Sequence, residues 1–496
     1  MISRPAKLIP DAPEKHRTPH PFIPALVIGV LAAAVGIATS VTRRGEYIIV
    51  GELALIVFVA GLGAPILLVG AALAAFPLDY PSYLVGLGSR SGFELVLASA
   101  ILAVGLAVGT RHISLMSLRP TVPAIVAVLV YSCWVGLLFL ENPSISLDES
   151  VLNNPGKLFY RVVVATAFFL VIVAVATRRV DLQKVLVAFG IGTVPPMLLG
   201  AYLGITHTEI PGFNGGLVSQ PVFIGIGVSE WRVGSTFNSP FAFGMASAMT
   251  FVGALAYVFG HPLRRWATLL TIALALLALC AIYVSQERAA ALGASLSAVF
   301  LVWLSPWRAR SKLMAIAAVG LVVVSYLLAG GAYLGRFSTV VDTSVYTRLD
   351  LWSFAISEFL TAPIFGHGLS SFEPLYYSSY NSLLQIGEVS AHSTLFAIAV
   401  EQGSVGIILF GLQVWICMSL AVGVLRRSKS WESVAVTAAI LAYVPTLLTQ
   451  DIYIQRGLMY SFYALLAAAA ALACTHASDS AEAMTADGPQ RSSNRI

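Results

Sequence analysis

STLFAIAVEQGSVGIILFGLQVWICMSLAVGVL, residues 393–425, contains one charged side chain, Glu401. It exceeds the roughly 20 apolar residues with which an α-helix crosses the hydrocarbon of a bilayer. Runs of the same kind recur along the chain, at 22–41 and 237–260 among others. Over all 496 residues 58% are hydrophobic and 11% charged, and the mean hydropathy is +0.84. Ordinary soluble domains carry roughly 25% charged residues, so water is not the main solvent of this chain. The pattern predicts an all-α fold: a polytopic transmembrane helical bundle of about 12–14 spans, with a large, partly helical extracytoplasmic loop.

The predicted helices are 22–41, 47–76, 92–110, 121–140, 158–176, 182–204, 237–259, 265–284, 287–304, 312–334, 393–424, 432–449 and 457–474. They leave no room for a large soluble domain. A basic, Pro-rich N-terminal tail (1–21) precedes the membrane domain (22–474), and a Ser/Ala/Asp-rich segment from Thr475 to Ile496, without periodicity, reads as a disordered tail. Cys133, Cys280, Cys417 and Cys474 lie in or beside apolar runs without metal-like spacing, and read as small core residues.

Charge gives the bundle a direction. The net +5 resides in short clusters between helices rather than on one basic face, which argues against a nucleic-acid partner. Alternate short loops carry Arg111 and Arg119; Arg178, Arg179 and Lys184; Arg264 and Arg265; Arg308, Arg310 and Lys312; and Arg426, Arg427 and Lys429. By the positive-inside rule these face the cytoplasm. The long loops at about 141–157, 205–236 and 335–392 then face outward, with Asp148, Glu149, Glu209, Glu230, Asp342 and Glu373. A cytoplasmic N-terminus requires the run 47–76 to split into two short spans near Gly61-Leu-Gly-Ala-Pro65.

Four polar stretches gather on the outward side of the C-terminal half. The first is Trp231-Arg232-Val-Gly-Ser-Thr-Phe-Asn-Ser-Pro240, and the second is Ser285-Gln-Glu-Arg288, the turn of a tight helical hairpin. The third is Tyr346-Thr-Arg348-Leu-Asp-Leu-Trp352, opening a segment whose Leu349, Trp352, Ile356 and Phe359 share a helical face suited to the membrane surface; Pro363 and Gly366-His-Gly368 end it. The fourth is Ala391-His392-Ser-Thr394, followed by Glu401-Gln-Gly403 and Gly406. A histidine at a helix N-terminus is held neutral by the helix dipole and is able to act as a general base. Arg288 and Arg348, joined by Arg232, are permanently charged forks suited to diphosphate oxygens. Taken singly, each has a plainer reading: an interfacial arginine anchors to lipid headgroups, His367 decorates a turn, Glu401 serves helix packing or hydrogen bonding, and Gly403 and Gly406 allow close approach.

In their order, these motifs resemble the O-antigen ligase and polymerase family over about 232–410. The stretch Gly234-Ser-Thr-Phe-Asn-Ser-Pro240 is followed by a hairpin Arg288, by Arg348 and Trp352 in the large loop, by Pro363, Gly366 and Gly368, and by His392 ahead of Glu401, Gly403 and Gly406. Two positions depart from the family pattern. His392-Ser393 stands where the family reads His-Asn, and Glu287-Arg288-Ala289 where it reads Ser-Arg-Gly. Ser393 retains the ability to cap the helix.

The resemblance implies a multi-pass enzyme of the bacterial inner membrane with its site facing outward, and an inverting glycosyltransferase acting in surface polysaccharide biosynthesis. Its donor is a glycan on undecaprenyl diphosphate, and its acceptor another glycan, lipid A core or a further hydroxyl. Arg288 and Arg348, with Arg232, would hold the diphosphate; His392 would assist the acceptor hydroxyl; Ser393, Trp352 and Glu401 would support them. No cofactor is implied, and the absence of Asp-x-Asp or an outer His/Cys cluster does not indicate a required metal. Other polysaccharide-assembly membrane proteins are expected partners. A transporter or flippase of a lipid-linked or polar substrate is the rival class; it calls for charges near the bilayer midplane, where Glu52 and Glu401 are candidates.

Overall fold

A computed structural model describes residues 66, 69, 70, 72, 73, 92–110, 115–141, 154–208, 217–221, 229–237, 239–260, 265–305, 343–380 and 390–486. The helices are α1 Gly92–Gly109, α2 Val122–Glu141, α3 Pro155–Val175, α4 Arg179–Thr206, α5 Pro240–Gly260, α6 Arg265–Ser285, α7 Arg288–Leu304, α8 Thr343–Thr361, α9 Phe372–Tyr380, α10 Thr394–Arg427, α11 Trp431–Thr449 and α12 Arg456–Ala486. Among the described residues, seven helices are long and apolar enough to cross a membrane, and three shorter apolar ones accompany them. The chain is a multi-pass membrane protein. The predicted spans at 22–41 and 312–334, and the split of 47–76, lie outside the described residues.

In hydrocarbon no water is available to satisfy backbone groups, so each span bonds internally and cohesion comes from packing. The centre of the bundle is α12. It is buried almost without interruption from Leu458 to Thr475, against α3, α4, α5, α10 and α11. Its alanines at 467–471 offer a smooth surface that lets neighbouring helices approach. Close approach is carried furthest at Gly293 of α7, where a Cβ would stand 2.0 Å from the carbonyl oxygen of Ala442 in α11.

Two expectations are corrected. Helix α12 continues to Ala486 rather than ending at 474; Thr475–Ala486 carries alanine at 477, 481, 483 and 486, the residue of highest helix propensity, which needs no apolar period to stay helical. The loop before α5 is also more ordered than foreseen: Leu217–Pro221 and Ser229–Val233 pair as an antiparallel hairpin, with Val218 opposite Arg232.

The connections alternate between the two ends of the bundle. At one end lie the α6–α7 turn, the start of α5, the His392 turn before α10, and the α11–α12 turn; at the other lie Arg119, Arg178, Arg426, Arg427 and Lys429.

Candidate functional site

The site is built on three tight connections at one end. Glu287 is the N-cap of α7: its carboxylate accepts from the backbone N–H of Ala289 at 3.3 Å, and Gln286 before it takes a left-handed conformation, φ 53°. The turn sits hard against α5, since a Cβ on Gly244 would come within 2.9 Å of Cβ of Glu287. Burial pushes the Glu287 carboxyl above its ordinary range, while Arg232, Arg348, the Ala289 amide and a hydrogen bond from Gln450 oppose that rise. Arg288 is the next residue, half-buried at the first position of α7. Guanidinium groups from the hairpin strand and α8 therefore act on one carboxylate, and Arg288 adjoins it in the chain.

The second connection carries His392. Its backbone is left-handed, φ 44°, and its N–H donates to Ser390 Oγ at 3.3 Å. Burial, joined by the charge of Arg348, lowers the imidazole from 6.5 to about 4. The expected neutral imidazole therefore has a cause that the sequence did not supply. Ser393 is a correction. It holds the N-cap position and is buried, but its side chain makes no capping bond. Thr394 anchors the helix instead, donating through Oγ1 to Gln450 O at 2.8 Å and accepting from Ile452 N at 3.2 Å.

Trp352 fastens α8 over this turn. Its indole N–H donates to Ala391 O at 3.2 Å, and its ring lies 5.4 Å from that of Phe396. One turn earlier on α8 stands Arg348, which is how the two reach one place. Of the face expected along the membrane surface, Trp352 is drawn into this protein contact. Leu351, Phe354 and Ala355 are the residues packed against Phe372, Ala391, Ala397 and Val400, whereas Leu349 and Ile356 are each 50% exposed. Both faces of the helix are apolar, so periodicity alone does not say which one meets protein.

The third connection, between α11 and α12, went unremarked in the sequence. Asp451 accepts from Tyr453 N at 2.9 Å, and Arg161 of α3 donates to the carbonyls of Tyr453 and Ile454, both at 2.8 Å. Burial raises Asp451 from 3.8 to about 6, against the opposing pull of the Tyr453 amide and Arg161. Beneath it Tyr453 and Tyr131 share a hydrogen bond, and Gln402 Nε2 donates to Tyr131 at 3.2 Å. The signal was present: Gln450-Asp-Ile-Tyr-Ile-Gln-Arg456 is a polar string between two apolar helices at the same end as the other four stretches.

Two motifs separated by some forty residues in sequence form one joint. Helix α10 breaks at Gly403, φ 64°, ψ −163°. The carbonyls freed there accept from the loop before α9: His367 N to Val400 O at 2.8 Å and Gly368 N to Glu401 O at 3.0 Å. The amides beyond the break donate back, Ser404 N to Pro363 O at 2.8 Å and Val405 N to Ile364 O at 3.2 Å. Contact is backbone to backbone. A Cβ on Gly366 would stand 2.5 Å from Gln402 N, and one on Gly403 2.4 Å from Ile364 O. The buried carboxylate of Glu401 accepts from the amides of Ser370 and Phe372, which ties the start of α9 to the same joint. His367 Nε2 lies 2.9 Å from Thr361 Oγ1 and 3.6 Å from a Glu358 carboxylate oxygen, bracing the turn.

The geometry thus links Arg348 to His392 and to Glu287, and Arg232 to Glu287, with Arg288 adjoining. Trp352 and Glu401 hold the framework. Such a set can bind an anion of more than one charge beside a neutral imidazole.

Residues 273–411 match the family model described as O-antigen ligase. The matched segment includes Arg288, Arg348, His392 and the Gly403 break, and begins beyond Arg232 and the Gly234–Pro240 stretch. It supports the O-antigen ligase and polymerase family for this chain, and with it an enzyme of the glycosyltransferase type. No curated protein matches the chain.

Proposed function

We propose that this protein transfers or polymerises a glycan carried on undecaprenyl diphosphate, at the outer face of the bacterial inner membrane. The observation that carries the reading is that Arg348 acts electrostatically on both His392 and Glu287, inside the segment that matches the O-antigen ligase model. A base and an anion-binding fork are what such a transfer requires in one place.

In the reaction the oxygen of an acceptor hydroxyl attacks the anomeric carbon, and the bond from that carbon to the diphosphate oxygen breaks with its electron pair leaving on the diphosphate. His392 receives the hydroxyl proton. Arg288, Arg348 and Arg232 neutralise the charge that grows on the leaving group, which lowers the barrier where charge develops. Attack from the side opposite the diphosphate inverts the anomeric centre. Trp352 and Glu401 act as positioning residues, through the Ala391 carbonyl and the Ser370 and Phe372 amides respectively. Orientation is supported by the arginines at the other end of the bundle, which the positive-inside rule assigns to the cytoplasm. Outside the membrane no nucleotide-sugar pool is at hand, which favours a lipid diphosphate as the activated donor.

Arg288→Ala, Arg348→Ala and His392→Ala, each made in the full chain, test the reading. Mass spectrometry of lipid-linked glycans should show donor accumulating while the variant protein remains in the membrane. Wild-type transfer by all three variants would refute the assignment. In cells lacking the gene, shortened chains identify a polymerase, and full-length chains left on undecaprenyl identify a ligase acting on lipid A core or another hydroxyl.

A further inference from the structure

A cleft of about 800 Å³ opens at the opposite end of the bundle from His392, among the turn that leads into α2, the α3–α4 connection and the far end of α12. From Arg456 to Cys474 the helix α12 rises about 27 Å, so the two sites are a bilayer's hydrocarbon thickness apart. Arg119 and Arg178 line this cleft together with the hydroxyl-bearing Ser117 and Thr177, and Met116 and Val175 supply apolar wall.

The charges around it are distributed unevenly. Arg179 is held by the buried Glu432, with Nε to Oε1 at 2.9 Å, and Gln183 bonds the same carboxylate. Asp181, which also lines the cleft, is paired with Lys184 at 3.0 Å. Asp479 acts on Arg179. Neither Arg119 nor Arg178 makes an ion pair or side-chain hydrogen bond with another described residue. Arg178 is moreover the N-cap of α4, without a side-chain cap, so the first amides of that helix add positive potential to the same opening. Met116, one turn from Arg119, is 76% exposed, and Val180 is 59% exposed. An arginine that merely fixes topology projects from a helix end; here two converge on a concave, half-apolar recess at headgroup depth.

We propose that this cleft binds the phosphate headgroup of an anionic phospholipid, with its acyl chains against the Met116 side. Basic recesses between spanning helices at a membrane face are suited to such headgroups, and the apolar wall separates a lipid from a soluble phosphate. The proposal does not depend on the transfer reaction.

The test is native mass spectrometry of the full chain released from mixed phosphatidylglycerol and phosphatidylcholine nanodiscs. Wild-type protein should retain phosphatidylglycerol preferentially, and Arg119→Gln/Arg178→Gln should lower that preference about 30-fold, from two arginines at the surface. An Arg426→Gln/Arg427→Gln control, which removes the same charge from the same end, should leave it intact. Unchanged preference in the first variant overturns the site, and equal loss in the control overturns it in favour of diffuse charge. Displacement of the lipid by millimolar inorganic phosphate overturns the lipid assignment.

Discussion

Gly403→Ala isolates the joint between the two glycine motifs. The native φ and ψ of 64° and −163° lie in a region that only glycine occupies readily, which costs an L-residue about 1–3 kcal/mol. The new Cβ would meet three backbone atoms, Ile364 O at 2.4 Å, Ile364 C at 2.5 Å and Gly366 N at 2.6 Å, none of which swings aside as a side chain end would. Relief requires the 363–368 loop to lift, breaking at least the Ser404 and Val405 bonds, each worth about 1 kcal/mol. The total is about 3–5 kcal/mol, or roughly two to four orders of magnitude in the local opening equilibrium. Hydrogen exchange of the His367, Gly368, Ser404 and Val405 amides in detergent-purified protein reads that opening directly, and exchange should accelerate by about that factor. Glycan transfer should fall with it, because α8 and Arg348 lead into the lifted loop. Gly411→Ala in the same helix is the control. Its Cβ meets nothing within 4 Å, and alanine there gains up to about 1 kcal/mol of helix propensity. Exchange at the four amides unchanged in Gly403→Ala would refute the joint.

Three further outcomes follow from the same geometry. Because burial and Arg348 hold His392 at about 4, its basic form is complete above about pH 5, so kcat/KM for transfer should be flat between about pH 6 and 8 and fall only below; an acid limb centred near 6.5 would contradict the buried imidazole. Asp451 is raised from 3.8 to about 6, so its contribution to stability is full below about pH 4 and is lost as pH rises through 6, a swing of about 3 kcal/mol. Asp451→Asn should accordingly melt above wild type at pH 8 and converge with it at pH 4, and the reverse order would disprove the buried carboxyl. Trp352→Phe keeps the ring against Phe396 but loses the bond to Ala391 O, so transfer should drop about fivefold with the protein still folded; undiminished transfer would show that the indole N–H does not position the His392 turn.

Hydropathy alone established that the chain is a bundle of spanning helices, since a run such as 393–425 has no other way to satisfy its backbone in lipid. Charge alternation separated the two ends, and motif order brought Arg288, Arg348 and His392 into one reading. What sequence did not decide is how those ends are held. Glu287 differs from the family pattern and so read as a departure; only packing reveals it as the buried carboxylate that Arg232 and Arg348 share. Ser393 has the composition of a cap but makes no capping bond, and it is Thr394 that ties the start of α10 to a turn 56 residues away. The face of α8 that meets protein is chosen by Phe372 and Ala397, which no period of 3.6 can indicate. The glycines of residues 366 and 403 read as two motifs because chain order separates them. They are one contact, because a broken helix leaves carbonyls and amides that must be paired, and only the folded loop brings the partners.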